Sequence, residues 1–185
     1  MDTIVKTLGR TDSIYSKIVK SLAFAGLIGL LAQVKFYLPW TPVPITGSTV
    51  GVVLTGIFLG QWALLSVGTY ILLGAFGLPW FAGWNGGFAA ILGPTGGYLL
   101  GFILAAWFIG KVYENIEYKK RFAYILFAHV FLVYIPGILG LVLWYKFTHN
   151  SMPGVWKTTI MGVLPFIPGD ALKSAILAGV PSKKY

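Results

Sequence analysis

Residues 44–78 read PITGSTVGVVLTGIFLGQWALLSVGTYILLGAFGL. Two apolar runs, 44–60 and 62–78, stand here with only Gln61 between them. A bilayer span takes roughly 20 apolar residues, so each run is near that length. With no room for a loop, they form a tight helical hairpin. The rest of the chain has the same character. Of its 185 residues 57% are hydrophobic and 10% charged, and mean hydropathy is +0.79. Soluble domains carry about 25% charged residues, so too few polar side chains remain to clothe a water-facing surface. A soluble globular protein is excluded. With no Cys, disulfides, thiolate metal sites and a Cys nucleophile are excluded as well. His129 and His149, the two histidines, are too few for a His-based metal centre.

Working outward, the first apolar run is 21–38, preceded by Lys6, Arg10, Lys17 and Lys20. Gln33, Lys35 and Pro39 follow in place of a small-residue cleavage site, so this is a retained helix rather than a signal peptide. Residues 79–97, PWFAGWNGGFAAILGPTGG, are apolar but too rich in Gly and Pro for a straight helix. They form a structured loop or re-entrant cap packed on protein, because lipid does not tolerate unpaired backbone. The fourth run is 98–110, helical from about Thr95, and a polar loop ends at Arg121. The fifth, 122–145, is kinked at Pro136-Gly137. After a polar loop at 146–157, the sixth run, 158–180, contains Pro165, Pro168 and Gly169. The expectation is an all-α integral membrane protein, one domain over residues 1–185, with six helices in a compact bundle and outward loops capping a pocket.

The net charge of +9 raises nucleic acid as a partner. The positive residues, however, sit in short clusters between apolar runs, which is the signature of membrane topology. With six spans both termini share a side. That side holds Lys6, Arg10, Lys17, Lys20, Lys111, Lys119, Lys120, Arg121, Lys183 and Lys184, against Lys35, Lys146 and Lys157 on the other. Both termini are therefore expected in the cytoplasm of a multi-pass cell-membrane protein surrounded by lipid.

Asp170 and Lys173 are the charged residues well inside an apolar run. Counted back from Val180, Asp170 lies about 15 Å from the helix end, near the middle of the hydrocarbon core. Each such charge costs roughly 2.5–3.5 kcal/mol on insertion scales and needs an interior partner. Their i, i+3 spacing places them on one helix face within pairing distance. The pair either locks the bundle or marks a site for a polar solute. Pro165 and Pro168 break the helix just before them, leaving Asp170 at a restarted segment where its carboxylate can cap free N–H groups. Asn85 is the one amide in an apolar outward loop, in an Asn-Gly turn. Thr46, Ser48 and Thr49 enter the second run and either face a cavity or bond the local backbone. Ser21, Ala25 and Gly29 place a small residue at every fourth position of the first run. Such a stripe either packs within the bundle or docks a partner helix. No GxxxxGK[ST], no HExxH and no nucleophile–base pairing is present, so an enzyme is not expected and any uphill transport takes its drive from elsewhere.

Val43-Pro44-Ile45-Thr46, the loop FAGWNGG at 81–87, Gly93-Pro94-Thr95-Gly96-Gly97-Tyr98 and Pro165-Phe166-Ile167-Pro168-Gly169-Asp170 through Lys173 together resemble the BioY family, biotin-binding S-components of energy-coupling factor (ECF) transporters. The match runs in order over nearly the whole chain. The resemblance implies six membrane helices, cytoplasmic termini and a pocket near the outer face, covered by the first and third outward loops. It implies that Asp170, Lys173 and Asn85 are polar contacts for biotin, the transported substrate, with no cofactor. Thr46, Ser48, Gly86 and Tyr98 stand in or beside the same motifs and complete the candidate set. As partners it implies a transmembrane coupling protein and two cytosolic ATPases. One departure is Thr46-Gly47-Ser48-Thr49, where members often read Thr-Leu-Gln-Thr; the shorter Ser48 hydroxyl loses a direct contact or replaces it through water. Asp170 is expected to accept from ureido N–H groups while Lys173 or Asn85 donates to the ureido oxygen, or Lys173 to face the carboxylate. A competing reading makes the chain a proton-coupled secondary transporter of a small carboxylate solute with Asp170 as the proton site. It lacks a second intramembrane carboxylate and an inverted repeat.

Overall fold

The computed structural model describes residues 14–181. The elements, in chain order, are α1 (Ile14–Ala32), β1 (Lys35–Phe36), β2 (Ile45–Thr46), α2 (Ser48–Leu59), α3 (Ala63–Ala75), α4 (Phe88–Ile91), α5 (Gly96–Val112), α6 (Tyr118–Phe127), α7 (Tyr134–His149), α8 (Val155–Gly162) and α9 (Ile167–Ala178). The fold is mostly helical. Four stretches are long and apolar enough to cross a membrane: Ile14–Ala32, Ser48–Ala75, Gly96–Asn115 and Tyr118–His149. The pair α8 and α9, bent by 46° at their break, makes a fifth.

The Ser48–Ala75 stretch doubles back on itself, as the sequence predicts. Gly51 abuts Ile28 and Phe58 meets Phe24, so α2 runs down α1. Ser66 then bonds Ser21, and Trp80 packs on Gly29, so α3 runs back up it. The reversal sits at Gly60, whose φ of 59° lies in the left-handed region that glycine adopts freely. Here a Cβ on Gly110 would collide with the Gly60 carbonyl oxygen, so both glycines are needed for this crossing. At the opposite end of α5 the same device recurs: Gly97 and Gly101 lie against the backbone of Pro136, Leu132 and Val133. Small residues let helices approach to backbone contact where lipid supplies no hydrophobic drive between them.

Helix boundaries depart from the apolar runs. α1 begins by Ile14 and stops at Ala32, and the chain after it turns into a two-residue ladder, Lys35 with Thr46 and Phe36 with Ile45. α6 starts inside the expected polar loop, and α7 continues into the next one as far as His149. Polar residues at helix ends need no burial, so hydropathy alone does not end a helix there. Arg121, read as a loop residue, is buried and donates to the Val180 carbonyl (3.0 Å), which Tyr113 also caps (2.7 Å). This fixes the end of α9. Pro136 lies inside the continuous Tyr118–His149 stretch, where it can donate no backbone hydrogen bond, and the irregularity expected there falls just before it as a π-helical segment, Ala128–Val133.

Candidate functional site

Pro168 occupies the first turn of α9, where a fixed φ suits a helix start, and Asp170 follows in the same turn. The expected cap is not made. Asp170 turns its carboxylate inward, where it is 3% exposed. Its Oδ1 accepts from Lys173 Nζ at 2.8 Å, and its Oδ2 accepts from the Tyr134 hydroxyl at 2.7 Å. A charged donor and a buried phenol outbid the backbone N–H groups. Lys173 Nζ also donates to the Thr46 carbonyl (2.8 Å) and to Thr49 Oγ1 (3.1 Å). An ammonium has three hydrogens, so all are committed. Asp170 is not spent: a carboxylate offers about four lone-pair sites, and two are used. The cluster ties α9 to α2 and α7.

Below it, Ser174 Oγ donates to the Asp170 carbonyl at 2.6 Å and meets His129 Nδ1 at 3.0 Å. The single serine proton goes to the carbonyl, so His129 donates from Nδ1. The turn that carries Asp170 is thus held from the π-helical segment as well.

A cavity opens beside the cluster. Thr46, Ser48, Thr49, Tyr98, Asp170 and Lys173 line it together with the apolar faces of Val43, Tyr70, Phe81, Leu99 and Phe102. Thr46 Oγ1 and Ser48 Oγ bond each other at 2.5 Å, leaving one free hydroxyl proton between them. Tyr98 donates to the Gly162 carbonyl at 2.8 Å. The wall therefore presents an anionic acceptor, a small hydroxyl donor and a broad aromatic surface, which suits a flat apolar solute bearing N–H groups.

Asn85 and Gly86 are not brought to this cavity. They line an adjoining hollow with Tyr37 and Pro42, and Pro44, Phe81, Ala82 and Thr95 border both spaces. Asn85 is exposed and closes its own loop: its Nδ2 donates to the Ala82 carbonyl (2.9 Å), and its carbonyl accepts from the Phe81 N–H (2.9 Å). The loop is held from outside by Gln33, which in the sequence marks only the end of the first apolar run. Gln33 Nε2 lies 3.0–3.1 Å from the carbonyls of Gly29, Trp80 and Phe81, and its Oε1 accepts from the Trp84 N–H at 2.9 Å. Trp84 has φ 59°, a costly conformation for a bulky residue, and Gln33 holds it there. An amide closing an apolar run, two residues before a strand, was the available signal.

The stripe on α1 is corrected. Ser21, Ala25 and Gly29 are all buried within the chain, Ser21 under Ser66 (2.5 Å) and Gly29 under Trp80. They pack the bundle and are not free to dock a partner helix; the face of α1 left open carries Val19, Leu22 and Leu30.

The comparisons with known proteins speak to the family of the chain. The model of the BioY family matches residues 5–183. A probable biotin transporter BioY from Methanothermobacter thermautotrophicus is 46% identical over 125 residues, covering 65% of this chain and 80% of its own. The biotin transporter BioY of Thermotoga maritima is 37% identical over 163 residues, 88% of this chain and 91% of its own. Among solved structures, the S-component for biotin from an ECF-type ABC transporter superposes with a TM-score of 0.76 at 26% identity, over 89% of this chain and 87% of that one. A helical membrane bundle with its charged pair beside an apolar cavity, matched along nearly its full length, belongs to the BioY family.

Proposed function

We propose that this chain is the membrane-embedded, high-affinity biotin-binding subunit of an ECF-type uptake transporter. It passes biotin inward together with a transmembrane coupling protein and two cytosolic ATPases. The observation that carries the reading is the Asp170–Lys173–Tyr134 cluster on the cavity wall. Biotin has a flat ureido-fused bicycle and an aliphatic acid tail. Asp170 has lone pairs left to accept from the ureido N–H groups. The Thr46–Ser48 hydroxyl pair, rather than the fully committed Lys173, has a proton for the ureido oxygen. The binding step needs no cofactor and no bond chemistry.

Several finer points belong to the same reading. The reversal at Gly60, and the pairing of α8 with α9 as one bent span, support six crossings in one domain over residues 1–185. The cavity is lined from the 33–47 and 79–95 loops, the first and second on the outer face, which supports these two as its covers in place of the first and third. Lys and Arg counts support cytoplasmic termini in the cell membrane. The competing proton-site reading of Asp170 finds no support, since its carboxylate is shared between Lys173 and Tyr134.

Calorimetric titration of the detergent-purified chain with biotin, and with riboflavin as an unrelated vitamin, tests the proposal. Tight, saturable binding of biotin alone is the expected result. Equal response to both, or to neither, overturns it.

A further inference from the structure

Lys173 has no hydrogen left for the acid end of a solute, so a carboxylate must find its partner elsewhere. The loops supply one. Gly83 has φ +82° and no side chain, and the space a Cβ would take is ringed by donors: Lys35 Nζ at 2.7 Å, Tyr37 Oη at 3.1 Å and Asn85 Nδ2 at 3.4 Å. Three hydrogen-bond donors from two separate loops converge on one spot. Lys35 is fixed there by its ladder pairing with Thr46, and its ammonium lies over the Tyr37 ring at 5.3 Å. Asn85 has given one amide hydrogen to Ala82 and keeps the other. Among the described residues no acid competes for Lys35, because Glu114 and Glu117 lie with Tyr113 at the far end of α5 and Asp170 is paired with Lys173.

We propose that Lys35, Tyr37 and Asn85 form a carboxylate-recognition site at the mouth, holding the acid end of the substrate while Asp170 holds the ureido end in the cavity. This rests on the biotin reading and gives it a direction. Tyr37 and Asn85 line the outer hollow, which shares the Phe81–Ala82 wall with the cavity. An elongated solute with an apolar tail spans the two spaces and leaves its charge at Tyr37 and Asn85, with the Lys35 ammonium over the Tyr37 ring. A carboxylate prefers a positive donor joined by neutral ones, which fix its plane.

Titrating the full chain with biotin and with its uncharged carboxamide tests the site. The parent is expected to prefer the acid by about 5- to 10-fold, as a charged hydrogen bond near the surface allows. Lys35→Met should weaken biotin by that factor and leave the carboxamide unchanged, and Tyr37→Phe should do the same to a smaller degree. The preference should shrink in high salt, because the site is open to solvent. A Lys35→Met variant that loses acid and amide equally, or a parent that does not distinguish them, overturns the proposal and leaves the biotin reading standing. A parent that binds neither ligand overturns the biotin reading itself.

Discussion

The cavity floor and the outer loops hold polar groups by opposite means. On the floor, Asp170, Lys173, Tyr134 and Thr49 satisfy one another through side chains, each from a different turn or helix. In the loops, shape is held by backbone groups gathered on a single side chain, Gln33, while Lys35 and Asn85 stay exposed. A buried side-chain network is costly to open, because each removed partner leaves another unpaired in a low-dielectric place. A solvated loop loses less, because water takes over. The contrast teaches that affinity resides on the floor and retention in the loops.

The largest effect should come from the scaffold beneath both. Gly97→Val drives a side chain into the Pro136 carbonyl oxygen, so α5 and α7 must separate. Overpacking a core costs about 1–3 kcal/mol when side chains yield; backbone does not, and the loss should exceed that range. Thermal unfolding in detergent should show a collapse of the transition. A variant as stable as the parent would mean the two helices are not packed at this contact.

Next comes the floor. Tyr134→Phe removes one hydroxyl from Asp170 and keeps the ring. Hydrogen bonds to charged groups are worth about 1.5–3 kcal/mol, so biotin affinity should fall roughly 10- to 100-fold. Calorimetry reads this directly, and an unchanged affinity would detach Tyr134 from the site. In the loops, Gln33→Leu frees Trp84 and the Phe81 wall. Biotin dissociation should quicken about 10-fold while association changes little, as stopped-flow measurement would show; a variant slowed in association instead would make Gln33 part of the entry route. The smallest effect falls to Asn85→Ala. Its amide is exposed, so the loss should be near 3-fold, below what a desolvated hydrogen bond would give. A loss of 100-fold would move Asn85 from the rim to the floor.

How much of this could be read from the chain depends on where a residue departs from its surroundings. Asp170 and Lys173 stood out because charge inside an apolar run is expensive, and their spacing already set them on one face. The hairpin at Gly60 followed from two runs with no loop between them. Tyr134 did not stand out, because a tyrosine in an apolar helix looks like any interfacial aromatic, and its partner is 36 residues away. Thr49 and the backbone carbonyl of Thr46 carry no signal of what they accept. Asn85 is conspicuous as a lone amide in an apolar loop, but the loop folds so that the amide serves its own turn first. The α1 stripe was visible as a period, yet a period cannot say which neighbour fills it. Only the reversal of α3 against α1 decides that it packs inward.

The central claim is that the Asp170–Lys173 pair belongs to the biotin site and is not a mere lock between helices. Removing both charges together, as Asp170→Asn with Lys173→Met, avoids stranding either one in the interior, so the fold should survive. Biotin titration of that double variant, alongside its unfolding curve, is the deciding measurement. The account predicts a folded protein whose biotin affinity is lower by at least a few kcal/mol, about 100-fold or more. A folded double variant that binds biotin like the parent would contradict it.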